Sequence, residues 1–275
     1  MDLHTLIGQA TDLPKIPEVV QELLNSFNSD DVNADDIASQ LSKDQTLTAK
    51  VLRMANSSHF GGNRKVGSVN DAVVFLGLNS LRTLVLASGI TSSFKAPAHI
   101  DINEFWAQSF RAAGTARWLC QFSDQDLDRE LAFTCGMMHN VGTMLVNVLC
   151  PDDALDIHQL VEKGANRLDL ETNRLGFTHV EAGAELAKRW RFPEAMGDAL
   201  RYQLQPEKAE PYSSYAALLY VANKIDEFNQ ADENDREALM ANFPSAPALA
   251  LGIDLVAVLE RVEEANDDSM AGMLT

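Results

Sequence analysis

Apolar residues return every three or four positions along almost the whole chain, and this period constrains the fold more than any other feature. Val19, Val20, Leu23, Leu24 and Phe27 form one stripe. Leu47, Val51, Met54 and Ala55 form another, with Lys50 and Arg53 on the opposite side. Helix ends are written into the same stretches. Ser68 reads as an N-cap with Asp71 three residues on, Val69, Ala72, Val73 and Leu76 follow, and Gly77 stops the helix. Leu81, Leu84 and Val85 open the next one. Phe105, Phe110, Ala113 and Trp118 mark a long helix, and Leu131, Cys135, Met138 and Leu145 are read as a single following helix. Thr178 and Glu181 make a capping box before Ala184, Ala187 and Trp190. Pro193 suits a first helical turn. A loop around Glu207 to Tyr212 leads to a helix with Leu218, Leu219 and Ile225. The segment from Phe243 to Ile253 starts as loop, a last helix is expected over Leu255 to Glu264, and the tail after it is expected to fray. No alternating run bounded by turn signals argues for a strand. The predicted class is all-α with more than ten helices. The segment KAPAHID, Lys95 to Asp101, carries Pro97 and breaks the pattern, which places a boundary between lobes at 1–95 and 96–275.

The length of 275 residues suits one large domain or two small ones and is enough for a sizeable core. Hydrophobic residues at 46% and charged residues at 23% are globular values and argue against disorder. A net charge of −18, with no run of Lys and Arg, gives no electrostatic reason to approach nucleic acid or an anionic membrane. Neither is expected as a partner. Cys120, Cys135 and Cys150 are odd in number and lack CxxC spacing, so they read as small buried hydrophobes in a reducing cytoplasm. The N-terminal stretch lacks the basic and apolar regions of a signal peptide, and no stretch is long enough to span a bilayer.

Six blocks in order carry a resemblance. LPKIPEVVQELL places Leu13, Pro14 and Pro17 before the first strong helix. SKDQTLTAKVLRMANSSHFGG places Asp44, Leu47, Leu52, Asn56 and Ser57. VNDAVVFLGLNSLRTLVLA places Ala72, Leu76, Gly77 and Arg82. FWAQSF, GMMHNVGTMLV and FTHVEAGAELAKRW complete the set. Over about residues 10 to 228 the chain resembles the HDOD family, whose name abbreviates HD-related output domain. The resemblance implies an N-terminal helical bundle packed on a C-terminal HD-like helical lobe. It implies kinship with metal-dependent HD phosphohydrolases whose ligand set is usually incomplete, and a role in bacterial signal transduction. The chain looks like a stand-alone HDOD protein.

A working HD centre needs histidines and an anionic aspartate that offsets cation charge, so that a bound water ionises near neutral pH. The doublet that names the HD family falls here at His139–Asn140. The resemblance sets Gln108 where a histidine ligand would sit, His179 at a histidine position, Tyr202–Gln203 where active relatives carry histidine, and Asn223 where an aspartate would close the set. Amides bind transition metals weakly and supply no charge. Two histidines fall short of the three protein ligands of a usual catalytic zinc site. The cleft is therefore expected to be vestigial, with no metal, no cofactor and no catalytic residue.

Other readings of the same residues stay open. A lone histidine such as His139 in an apolar helix is more often a hydrogen-bonded core residue than a ligand. His179 opens a capped helix, where it can face solvent. Gln108, Asn140 and Asn223 would make a buried amide network if the helices pack as the resemblance implies. Ser57, Ser58 and His59 are too local for a catalytic triad, and Gly61, Gly62 and Asn63 read as a turn. His158 does not share a helix face with Asp156. Lys50, Arg53 and Arg82 read as a solvated face, with binding of an acidic partner as the alternative. The expected function is a non-enzymatic signalling module acting through contacts with an unidentified protein. The alternatives are a divergent phosphohydrolase recruiting Glu181 or Asp198, and a sensor that holds a small nucleotide in the vestigial pocket.

Overall fold

The computed structural model describes residues 2–10, 13–25, 34–41, 43–56, 65–95, 97–232, 235–236, 239, 243 and 245–265, and no strand occurs among them. Divided at the boundary expected from sequence, the part up to residue 95, taken as the first lobe, holds α1 (Leu3–Gln9), α2 (Glu18–Asn25), α3 (Ala34–Leu41), α4 (Gln45–Ala55), α5 (Val69–Leu76) and α6 (Leu78–Ser93). The second holds α7 (Ile102–Leu119), α8 (Arg129–Met138), α9 (Val141–Leu149), α10 (Pro151–Val161), α11 (Arg167–Leu175), α12 (His179–Arg189), α13 (Glu194–Tyr202), α14 (Ser214–Gln230), α15 (Ser245–Ala250) and α16 (Leu255–Leu259).

Local chemistry sets many of the ends. The Ser68 side chain accepts from the Asp71 amide at the start of α5. Gly77 then adopts φ +81°, a conformation that favours glycine, and the chain turns directly into α6. Thr178 and Glu181 form the reciprocal capping box at the start of α12. In the first lobe α6 is the central element: Leu81, Leu84, Val85 and Ile90 are buried against the faces of α2, α4 and α5, which carry Val20, Val51, Ala55 and Ala72. The second lobe is built on the long contacts of α7 with α8 and of α12 with α9 and α13, and α14 closes it against α7 and α13.

One continuous apolar core runs through both lobes. Phe94, at the end of α6, packs against Trp106 and Trp190 at centroid distances of 6.3 and 6.0 Å. The Trp190 indole N–H donates to the carbonyl of Pro14 at 3.2 Å, and Gln21 donates to the Trp190 carbonyl at 2.8 Å. Thr83 on α6 hydrogen-bonds Glu130 on α8, and Arg117 on α7 pairs with the same carboxylate at 2.8 Å. These polar contacts fix the orientation that the apolar core alone leaves free.

Several expectations need correction. The single helix expected through Leu131 and Leu145 is two helices, α8 and α9, parted at His139–Asn140. Asn140 sits at φ −102°, ψ 0°, and the break turns α9 onto α12. Pro193 stands one residue before its helix, and the last helix ends at Leu259, followed by a 3-10 turn over Val262–Ala265. Residues Ser245–Ala250 are helical although their segment starts as loop. Of the cysteines only Cys135 is buried; Cys120 and Cys150 are half-buried. Lys50 is half-buried and donates to Ser92 at 2.8 Å, and Arg82 is half-buried, so only Arg53 of that basic group is exposed. The side chains of Leu23 and Leu24, and all of Phe27, Ser57, Ser58, His59, Gly61, Gly62, Asn63 and the tail after Ala265, lie outside the described residues.

Candidate functional site

The start of α7, the preceding turn, and α9, α10, α11 and α12 wall a cleft of about 380 Å³. Asn140 lines it at the head of α9, with Gln108 opposite on α7 and His179 at the first turn of α12. The family doublet is divided: Asn140 faces the cleft, whereas His139 is not among the described residues that line it.

His139 is buried in the second lobe. Its ring Nδ1 lies 2.7 Å from the Gly136 carbonyl and so donates to it, which leaves Nε2 as the acceptor of the neutral ring. Its own carbonyl accepts from Gln203 Nε2 at 2.8 Å. Burial pushes its pKa down to about 4; the bond to Gly136 opposes this and the nearby His179 adds to it. His139 is therefore a neutral, hydrogen-bonded core residue at neutral pH.

His179 does not face solvent. It is 8% exposed, and its Nδ1 and backbone N–H both meet one carboxylate oxygen of Glu171 at 2.8 Å. Glu171 is 1% exposed. It reaches from α11 into the N-terminal end of α12, where a free amide and the helix dipole both favour negative charge. Gly176 ends α11 in the left-handed region and makes this corner tight. Arg167, one turn earlier on α11, lies 3.6 Å from the other oxygen. The Arg167–Glu171 spacing was the only sequence signal available for this carboxylate.

The expected amide network is reduced to one pair. Asn140 Nδ2 donates to Gln108 Oε1 at 3.3 Å, and Gln108 is exposed and not buried. Asn223 is half-buried on α14 and does not line this cleft. One turn later Asp226 pairs with Arg111 of α7 at 3.1 Å. Tyr202 lines a different cavity, of about 660 Å³, on the other side of α12 with Glu181 and Arg201. The neighbouring Gln203 takes the inward position at 2% exposure. Glu181, considered as a recruited ligand, spends its carboxylate on Thr178, and Asp198 lines neither cavity.

His99 and His158 also line the cleft, their ring centroids 5.0 Å apart and their planes tilted by 49°. Burial and the neighbouring His158 push the pKa of His99 down, against the pull of Asn147. This pair was invisible in sequence, because His99 belongs to the turn before α7 and His158 to α10.

Kinship with metal-dependent HD phosphohydrolases raises the question of a divalent metal, and the donors here do not fit one. His139 and His179 have their Nδ1 atoms fixed by a carbonyl and a carboxylate, an arrangement that also orients true metal ligands. Further donors do not converge with them: the doublet's second position and the residue opposite it are the amides of Asn140 and Gln108, and Glu171 is spent on the Nδ1 and backbone N–H of His179. Among the described residues no group of three or more His, Cys, Asp and Glu side chains has the geometry of a metal site.

Comparison with known proteins agrees with this architecture. The HDOD domain model matches residues 13–206, and the chain belongs to the HDOD family. A solved structure from Shewanella amazonensis SB2B, named "Putative phosphohydrolase", is 31% identical with both chains fully covered and a TM-score of 0.85. An HDOD domain protein from Geobacter sulfurreducens is 23% identical, covering 99% of this chain and 97% of its own, with a TM-score of 0.82. A "Putative signal transduction protein" from Marinobacter aquaeolei VT8 is 25% identical with a TM-score of 0.81; 99% of this chain matches 64% of that one. An uncharacterized protein of Treponema pallidum (strain Nichols) is 26% identical over 227 residues, and this chain spans 44% of its length. Among the described residues no helix is long and apolar enough to cross a membrane.

Proposed function

We propose that this chain is a signal-transduction module that acts through contacts with other proteins and does not hydrolyse phosphate esters. The observation that carries the reading is the Gln108–Asn140 amide pair at the family doublet, where a catalytic centre needs anionic and imidazole donors. Neither position of the doublet pair carries a carboxylate, and Glu171, the carboxylate beside His179, is committed to the His179 ring and backbone N–H. The longer Marinobacter relative, named for signal transduction, supports a role as one part of larger assemblies. The partner is expected to be a protein of the same signalling route, in the cytoplasm.

The test is an assay of the purified chain on nucleotides and generic phosphate esters with Mn²⁺, Fe²⁺ or Zn²⁺ added. No turnover above a protein-free control is expected. Metal-dependent turnover that disappears in a Gln108→Leu variant, at an exposed cleft position, while circular dichroism shows the fold intact, would refute the proposal.

A further inference from the structure

We infer that the cleft binds an uncharged planar heterocycle with neighbouring N–H and C=O groups, of the nucleobase or nucleoside class, and discriminates against the phosphorylated forms. This rests on reading the same cleft as non-catalytic. Its volume of about 380 Å³ falls within the ~300–1,000 Å³ of small-molecule sites.

The chemistry of the walls selects the ligand. Only one bond is made within the amide pair, from Asn140 Nδ2 to Gln108 Oε1. That leaves the Gln108 N–H donors and the Asn140 carbonyl acceptor uncommitted within the pair, and both residues line the cleft, so the wall offers a donor and an acceptor of the kind that the edge of a base pairs with. Gln108 is exposed and Asn140 half-buried, so both are open to a ligand. Phe105, Val146 and Ile157 are buried side chains that supply apolar surface to a ring face.

Charge sets the exclusion. Asp101, Glu104 and Glu171 line the cleft, and Arg167 is the only Lys or Arg among the described lining residues. Arg167 already leans on Glu171 at 3.6 Å. Glu104 is also paired, with Arg111 at 3.0 Å, so three lining carboxylates stand against two guanidiniums, and a phosphate would meet a negative balance in a molecule of net charge −18. A neutral nucleoside meets no such barrier.

The experiment is isothermal titration of the full chain with adenosine, guanosine, cytidine and uridine, and with their 5′-monophosphates. At least one nucleoside should bind saturably, and its monophosphate should bind about tenfold more weakly or worse. Gln108→Leu, an exposed position that leaves the core intact, should abolish the binding, and Asn140→Leu should do the same. Circular dichroism establishes that both variants fold. The inference is overturned if no nucleoside saturates up to its solubility limit. It is equally overturned if a monophosphate binds as tightly as its nucleoside, or if both variants bind as the wild type does. Metal-dependent phosphate release would instead sink the non-catalytic reading, whatever the titrations show.

Discussion

Around His139 the imidazole is held by uncharged groups. The Gly136 carbonyl takes its Nδ1 proton, and Gln203 caps its own carbonyl. Around His179 the holder is a carboxylate, Glu171, which takes both a ring N–H and a first-turn backbone N–H on one oxygen. In sequence each is a lone histidine, His139 in an apolar helix and His179 at the first turn of a capped one. Their surroundings give them different physical consequences. His139 resists protonation and so contributes a liability in acid. His179 depends on an acidic partner from another helix and so contributes a joint between α11 and α12.

The largest effect is expected where the two regions meet. A Cβ on Gly142 would lie 1.8 Å from the His179 carbonyl oxygen and 2.6 Å from the Gly183 amide nitrogen. The obstacle is backbone, which has no rotamer to yield. Gly142→Ala should cost about 5 kcal/mol, above the ~1–3 kcal/mol of ordinary overpacking. A urea-melt loss under 1 kcal/mol would show that α9 and α12 part more easily than their packing implies.

Next is Glu171→Ala, which strands a buried imidazole N–H and a helix amide together. A loss of about 4 kcal/mol is expected, in line with removing one member of a buried pair. If the midpoint hardly moves, the contrast drawn between the two histidines fails.

Third is the acid response of His139. Its folded pKa of about 4 lies below the ordinary 6.5. Above pH 6.5 the ring is neutral in both states and contributes nothing. As pH falls from 6.5 towards 4 the unfolded chain takes up a proton that the folded chain refuses, so stability drops by about 3 kcal/mol and then levels off. Urea melts across that window, wild type against His139→Leu, isolate this contribution from the carboxylates. Parallel pH curves for the two proteins would count against it.

What the sequence disclosed was what local chemistry decides. Ser68, Gly77, Thr178 and Glu181 mark helix ends through bonds that span three or four residues, and all four stand where that reading put them. The stripes of Val51 and Leu84 face the core for the same reason. The His139–Asn140 break was hidden because it answers to the approach of α12, a partner some forty residues away. Glu171 escaped notice because its use depends on the tight corner at Gly176. Tyr202 and Gln203 show the limit of assigning positions by resemblance: neighbours on a helix point about 100° apart, and here the second of them turns inward. Gln108 and Asn140 do meet, but on the open wall and without Asn223.

The backbone-to-backbone seating of Gly142 against α12 has a mechanical corollary. Side chains act as springs, changing rotamer to absorb small displacements, and at Gly142 the facing atoms are main chain. Little free play is left between the heads of α9 and α12 at that point, which is where Asn140 and His179 line the cleft.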